Sequence, residues 1–197
     1  MTGIVLAGGE SRRMGADKAF LPFAGKPLVA RVLDAVRRAC GTVILVVHSP
    51  DGFADLGAVV VTDALEERGP LTGIYSGLLR SEDEYNFVAA CDMPFLLPQL
   101  ISHLESVSPG HDITVPRVRG MLEPLHAVYR RSLLPTIEER LRSGRKDVRG
   151  LLDGARVRIV TEEEIGRFDP VFRSFENVNT RREYEEAVCS DWECRSC

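Results

Sequence analysis

Apolar residues occur along this chain in two kinds of burst. The first kind is continuous: GIVLA at Gly3–Ala7, TVILVV at Thr42–Val47, AVVVT at Ala58–Thr62 and NFVAA at Asn86–Ala90. Runs of this length, apolar on both faces and bounded by turn residues, predict strands buried on both sides of a parallel sheet. The second kind recurs at helical spacing. Between Lys26 and Cys40, the residues Leu28, Val29, Val32, Leu33 and Val36 fall on one face, with Pro27 suited to the first turn and Gly41 to the end. PLTGIYSGLLRS at Pro70–Ser81 predicts a helix whose small residues face something close. LLPQLISHLES and LLPTIEERLRSG predict two more, and Gly144 can cap the latter. DITVP and EPLHAVY read as a pair of strands over one edge of the sheet, and RVRIV as a further strand. A last helix begins in NVNTRREYEEAVC, where Thr180 is the N-cap and Glu183 completes a capping box. Strands alternating with helices predict an α/β fold, a single-domain three-layer α/β/α arrangement with a mostly parallel sheet. No shift in composition marks a linker, so residues 1–188 are expected to form one domain. The segment CSDWECRSC, residues 189–197, is expected to be an appended flexible tail.

Charge narrows what such a domain could bind. Lys and Arg number 25 against 29 Asp and Glu, a formal net charge of −4. Nucleic-acid binding through bulk positive charge is therefore not expected, and an anionic ligand must be held by a local patch. Two such patches stand out: Arg12, Arg13, Lys18 and Lys26 near the front, and Arg140, Arg142, Arg145, Lys146 and Arg149 later. No stretch approaches the roughly 18 apolar residues of a membrane span, and MTGIVLAGG has no signal-peptide pattern, so no membrane partner is expected and the location expected is cytoplasmic. Five cysteines, an odd count, fit a reducing compartment better than a disulfide framework. Cys91 reads as a small buried residue. Cys189, Cys194 and Cys197 could ligate a metal only with a fourth ligand that the sequence does not display.

The front patch lies in LAGGESRRMGADKAFLPFAG, Leu6–Gly25, between a buried strand and a helix. That order is the setting of a phosphate cradle, in which main-chain N–H groups of a glycine-rich turn attract anions beyond the carboxyl end of a strand. It is not a Walker A loop, since Lys18 follows Gly15-Ala16-Asp17 and no Ser or Thr comes next; nor does GGESRRMG supply G-x-G-x-x-G. Asp92 follows a buried strand and precedes Met93-Pro94, a position from which a carboxylate could hold Mg²⁺ bridging phosphate oxygens. Asp63 also closes a strand. In GPLTGI, Gly69 and Gly73 permit a tight turn whose entry Pro70 fixes.

LAGGESRRMGADKA resembles the signature of the molybdenum cofactor guanylyltransferase family. VTDALEERGPLTGIYSGL is similar to that family's Asp followed by its G-P-L-x-G turn, AACDMPFL to its C-D-[MT]-P segment, and FENVNTRREY to its C-terminal N-[VI]-N-T motif. In order, these matches run from Leu6 to Tyr184. The resemblance implies a nucleotide-diphospho-sugar transferase fold of the GT-A, Rossmann-like type. It also implies a reaction: Mg²⁺-dependent transfer of GMP from GTP to molybdopterin bearing molybdenum, with release of pyrophosphate. The partners implied are GTP, the molybdenum cofactor, and other cofactor-biosynthesis and molybdoenzyme-maturation proteins.

The same resemblance assigns roles. Leu6, Ala7 and Gly8 match the segment whose main chain meets the base, and Gly9 lets the backbone approach the triphosphate. Lys18 would neutralise the α- or β-phosphate, Arg13 the leaving pyrophosphate, and Asp92 would be the magnesium ligand. Asp63 would accept hydrogen bonds from the guanine edge or the ribose, near Gly69 and Pro70. Asn177 and Asn179 would meet the pterin or order its pocket. Read from charge and position and not from the resemblance, Arg145 and Lys146 in SGRKDVRG are candidates for the acceptor phosphate, and His126 is a strand residue facing the acceptor or packed structurally. VVHSPDG departs from the asparagine-containing version in some relatives, so His48 or Ser49 stands where that base contact would be. The alternatives are a cytidylyltransferase acting on the same cofactor, another small-molecule nucleotidyltransferase, and a non-catalytic GTP-binding maturation factor.

Overall fold

A computed structural model describes residues 1–8, 18–65 and 68–195, with side chains through Ser190. Among these residues the strands β1 (Thr2–Leu6), β4 (Thr42–Val47), β5 (Val59–Thr62) and β6 (Tyr85–Ala90) coincide with the four continuous apolar runs. They pair in parallel in the order β6-β1-β4-β5. The sheet continues past β6 through β9 (His126–Arg130), β7 (Ile113–Val118) and β10 (Val157–Val160), while the short β8 (Met121–Leu122) pairs with β7. β9 is antiparallel to both β6 and β7, and β10 returns parallel to β7. The two strands expected over one edge are therefore inside the sheet. His126, Ala127, Val128 and Tyr129 are all buried, as an inner strand requires.

Alternation along the central strands sorts side chains between two cores. Val5, Leu45, Phe87 and Ala89 point to the side covered by α1 (Leu28–Arg37) and α3 (Pro98–Ser106). Ile4, Ile44, Val46 and Val88 point to the side covered by α2 (Pro70–Arg80) and α4 (Leu134–Arg142). This is the three-layer α/β/α arrangement. The five residues assigned to one face of α1 are all fully buried. The small residues of α2 face β1: a Cβ at Gly77 would lie 2.4 Å from Ile4 Cγ2, and one at Gly73 would lie 3.1 Å from Leu6 Cδ2. α2 thus lies close against β1, and its N-terminus is fixed above the strand's carboxyl end.

Three small elements lacked a clear sequence pattern. β2 (Pro22–Phe23) and β3 (Lys26–Pro27) form a hairpin between the front loop and α1. α5 (Glu162–Gly166) starts with a capping box in which Thr161 accepts from the Glu164 N–H and the Glu164 side chain reaches back. α6 (Arg181–Arg195) packs on the hairpin through a cluster of Phe23, Leu28, Phe95, Val178 and Ala187. This helix runs through Val188 and Cys189 without a break; Cys189 is exposed, whereas the side chains of Cys194 and Cys197 lie outside the described residues. No helix among the described residues is long and apolar enough to cross a membrane.

Candidate active site

The parallel ladders continue one residue past the strands. Ala7 N–H donates to the Val46 carbonyl at 2.8 Å, Cys91 N–H to that of Leu6 at 3.0 Å, and Asp63 N–H to that of Val47 at 3.2 Å. Gly8, His48, Asp63 and Asp92 are thereby brought to the same carboxyl edge of the sheet, where ligands of open α/β sheets bind. A cavity of about 360 Å³ opens there. Leu6, Ala7, Gly8, Lys18, Asp63, Gly69, Pro70 and Asp92 all line it, as do Arg68 and Cys91. Cys91 is partly exposed rather than buried, because the chain turns out of β6 at that point.

One end of the cavity is built around Lys18, which is only 6% exposed. Its Nζ donates to Asp92 Oδ2 at 2.8 Å and to Asn179 Oδ1 at 3.0 Å. A lysine this enclosed would lose several kcal/mol of hydration without such partners. Among the described residues these partners engage two of its three N–H groups, so a third donor can serve an anion in the cavity. Asn179 is 161 residues away in sequence, and two contacts bring it there. Val178 N–H donates to the Asp92 carbonyl at 2.9 Å, pinning the C-terminal segment to the loop after β6. Glu183 Oε2 then accepts from the N–H groups of Asn179 and Thr180 at 2.6 and 2.8 Å, and Glu183 N–H donates to Thr180 Oγ1 at 3.2 Å. The expected capping box is present, and those main-chain donors, Asn179 first, hold the Glu183 carboxyl below its ordinary pKa. Asn177 does not reach the cavity. It lines a separate depression with Glu176 and Glu186.

The opposite end lies beyond β4 and β5. The loop after β5 is anchored by Ser76, whose hydroxyl accepts from Ala64 N–H at 2.9 Å and donates to the Thr72 carbonyl at 2.8 Å. Gly69 precedes α2 with φ of +153°, a conformation that disfavours a side chain. The Asp63 carboxylate approaches the main chain of the glycine turn: a Cβ on Gly8 would lie 3.6 Å from Asp63 Oδ2. Burial raises the Asp63 pKa, and His48 and Arg68 oppose the shift. Arg68, which no motif singled out, has its Nη2 2.5 Å from His48 Nε2. It stands in an acidic run, EERG, where a lone arginine reads as a solvated surface residue.

Other candidates fall away from the cavity. Arg140, Arg142 and Arg145 pair with Asp147, Glu138 and Glu139 around α4, and neither Arg145 nor Lys146 lines the cavity. His126 is fully buried, stacked on Phe175 at 4.5 Å with its ring also against Phe87, and burial pushes its pKa down to about 4. It is a core residue. Gly9 and Arg13 lie outside the described residues.

This arrangement has counterparts among known proteins. The sequence pattern described as "MobA-like NTP transferase domain" matches residues 3–160. A protein of Desulfosudis oleivorans named molybdenum cofactor guanylyltransferase is 40% identical over 189 residues, covering 95% of this chain and 94% of the relative. A probable molybdenum cofactor guanylyltransferase of Methanosarcina mazei is 40% identical over 198 residues, covering 94% and 88%. Among solved structures, molybdopterin-guanine dinucleotide biosynthesis protein A of Archaeoglobus fulgidus superposes with a TM-score of 0.84 at 29% identity, covering 97% of this chain and 100% of that one.

Proposed function

The chain belongs to the MobA-like NTP transferase family and is a nucleotidyltransferase of molybdenum cofactor modification, and from that premise we propose that it transfers GMP from GTP to the terminal phosphate of molybdenum-bearing molybdopterin. The observation that carries this reading is the Lys18 ammonium, held between Asp92 and Asn179 in a cavity that extends to Gly8 and Asp63. The names of the relatives, molybdenum cofactor guanylyltransferase and molybdopterin-guanine dinucleotide biosynthesis protein A, support this choice of acceptor and base.

In the proposed reaction, an acceptor phosphate oxygen forms a bond to the α-phosphorus of GTP, and the bond from that phosphorus to the bridging β-phosphate oxygen breaks. Pyrophosphate leaves with the electron pair. The acceptor is already ionised near neutral pH, so no side chain need become a covalent nucleophile. The chain's task is to place two anions in line and offset their repulsion. Lys18 does this with a fixed positive charge beside the reacting phosphates. Asn179 orients Lys18, and of the main chain at Leu6–Gly8 the Ala7 carbonyl and the Gly8 N–H, past the groups that Leu6 and Ala7 give to the sheet, offer hydrogen-bonding groups to the nucleotide. Arg13 is proposed to steady the pyrophosphate and Gly9 to admit the triphosphate. Asn177 is left with a role in the acceptor region rather than at the nucleotide.

Magnesium fits the donor set. Asp92 presents one partly exposed carboxylate to the cavity, and no cluster of three or more His, Cys, Asp or Glu able to hold a metal occurs among the described residues. Mg²⁺ is commonly held by one or two carboxylates with substrate phosphates and water, so Asp92 would be its protein ligand. When bound, the ion would supply charge neutralisation on the phosphate oxygens.

The test is turnover. Protein incubated with Mg²⁺, molybdenum-bearing molybdopterin and either GTP or CTP should release pyrophosphate and yield the guanine dinucleotide, identified by mass, with GTP far ahead of CTP. Preference for CTP would identify a cytidylyltransferase. Binding of GTP without pyrophosphate release would identify a non-catalytic GTP-binding protein.

A further inference from the structure

Arg68 and His48 form a pair at the cavity rim that the proposed transfer does not use. Arg68 lines the cavity beside Asp63 and Gly69, and its Nη2 is 2.5 Å from His48 Nε2. A guanidinium carries only N–H donors and keeps its proton, so His48 Nε2 must be the acceptor. His48 directs one N–H of the guanidinium and thereby sets where the rest of the planar group points.

The distance between the two ends of the cavity gives the pair its meaning. Asp92 extends β6 and Asp63 extends β5, in the strand order β6-β1-β4-β5. Three inter-strand steps of about 4.8 Å separate them by about 14 Å. A nucleotide whose phosphates meet Lys18 and Asp92 has to extend toward β5, which brings its base to Asp63 and Arg68. That end offers a carboxylate, which accepts, next to a guanidinium, which donates. Guanine is the base that matches both: N1–H and the N2 amine are donors, whereas O6 and N7 are adjacent acceptors suited to the fork of an arginine. Adenine and cytosine each place an amine where guanine places O6.

We infer that Arg68 is a base-reading residue that selects guanine through O6 and N7, and that His48 is its positioning residue. This rests on the reading of the cavity as a nucleoside triphosphate site. It assigns base choice partly to a side chain outside the glycine-rich turn, on the loop between β5 and α2.

The experiment is titration calorimetry with Mg²⁺, using GTP, 7-deaza-GTP, CTP and inorganic triphosphate as probes. Wild-type protein should bind GTP more tightly than 7-deaza-GTP, which lacks N7. Arg68→Met should weaken GTP about 5- to 100-fold, abolish the difference between GTP and 7-deaza-GTP, and leave inorganic triphosphate within about twofold. Arg68→Lys keeps the charge but not the fork, so it too should lose the 7-deaza discrimination. His48→Gln, whose amide oxygen can accept from Arg68, should retain that discrimination, and His48→Leu should lose most of it. Equal weakening of GTP and inorganic triphosphate in Arg68→Met would make Arg68 a phosphate contact and overturn the inference. So would undiminished discrimination in both Arg68 variants. Wild-type protein that binds inorganic triphosphate but shows no preference for GTP would overturn the guanine reading itself, which is a separate failure visible before any variant is made.

Discussion

The two ends of the cavity are built in opposite ways. At the Lys18 end, three segments remote in sequence meet around one ammonium: the short turn Lys18–Phe20 that carries it, the loop after β6, and the segment before α6. At the Asp63 end, the parts come from neighbouring strand ends and one short loop, and His48 and Arg68 are both exposed. The enclosed end has little freedom, which suits stabilising the charge that develops during phosphoryl transfer. The open end can vary its side chains without disturbing the core, which suits a choice among bases. Chemistry and selectivity are then separable, and variants at one end should leave the other's property intact.

The sharpest break of that comparison is Lys18→Met. It removes the cation from the enclosed end and leaves Asp92 without its partner. The turnover rate should fall about 10²- to 10³-fold, in the range found when a fixed donor to a developing anion is lost. The ratio of GTP to CTP use, measured by pyrophosphate release, should stay as in wild type. If base preference collapses together with the rate, the division into two ends is wrong.

Asn179→Ala tests the same end more gently. Lys18 keeps Asp92 but loses the second acceptor that fixes its direction. A drop in turnover of about tenfold is expected, equivalent to about 1.4 kcal/mol of lost positioning. The capping box should survive, because Glu183 reaches the main chain of Asn179 and not its side chain. An unchanged melting temperature with a reduced rate would confirm that Asn179 acts through Lys18. A reduced melting temperature with an unchanged rate would leave it a purely structural residue.

What could be read in advance follows the same division. Buried runs and helical spacing gave β1, β4, β6 and both flanking helix layers, since apolar periodicity reports burial directly; AVVVT also forms a strand, but β5 stands at the sheet edge with Val59 exposed and is not buried on both sides as expected. The antiparallel insertion of β9 between β6 and β7 was not legible, because an inner strand carries the same pattern wherever it inserts. Lys18, Asp63 and Asp92 stand at strand or turn positions where their residue type already suggests ligand binding. Asn179 and Asn177 looked equivalent in N-V-N-T, and only the Val178–Asp92 hydrogen bond decides which of them reaches Lys18. Arg68 had no local signal. Its role comes from the folding of α2 against β1, which holds the loop before α2 over the cavity.

The smallest expected effect sharpens the comparison from the open end. Burial raises the Asp63 pKa in the folded protein, against opposing contributions from His48 and Arg68. A carboxyl with a raised folded pKa binds its proton more tightly when folded, so a stability cost builds as pH rises from the ordinary carboxyl value and is complete once pH passes the raised folded one. Asp63→Asn removes the cost. At pH 7 without nucleotide, the variant should melt slightly higher than wild type, and the gap should close as pH falls toward the ordinary carboxyl value of 3.8 and wild-type Asp63 becomes neutral. GTP at one fixed concentration well above its dissociation constant should reverse the order at pH 7, because a ligand stabilises more the tighter it binds and the Asn side chain presents a weaker acceptor to the base. A variant that is no more stable than wild type without nucleotide would mean that His48 and Arg68 already offset the burial of Asp63. A variant that stays ahead of wild type with GTP would mean that Asp63 does not hold the base, and the open end would lose its claim to selectivity.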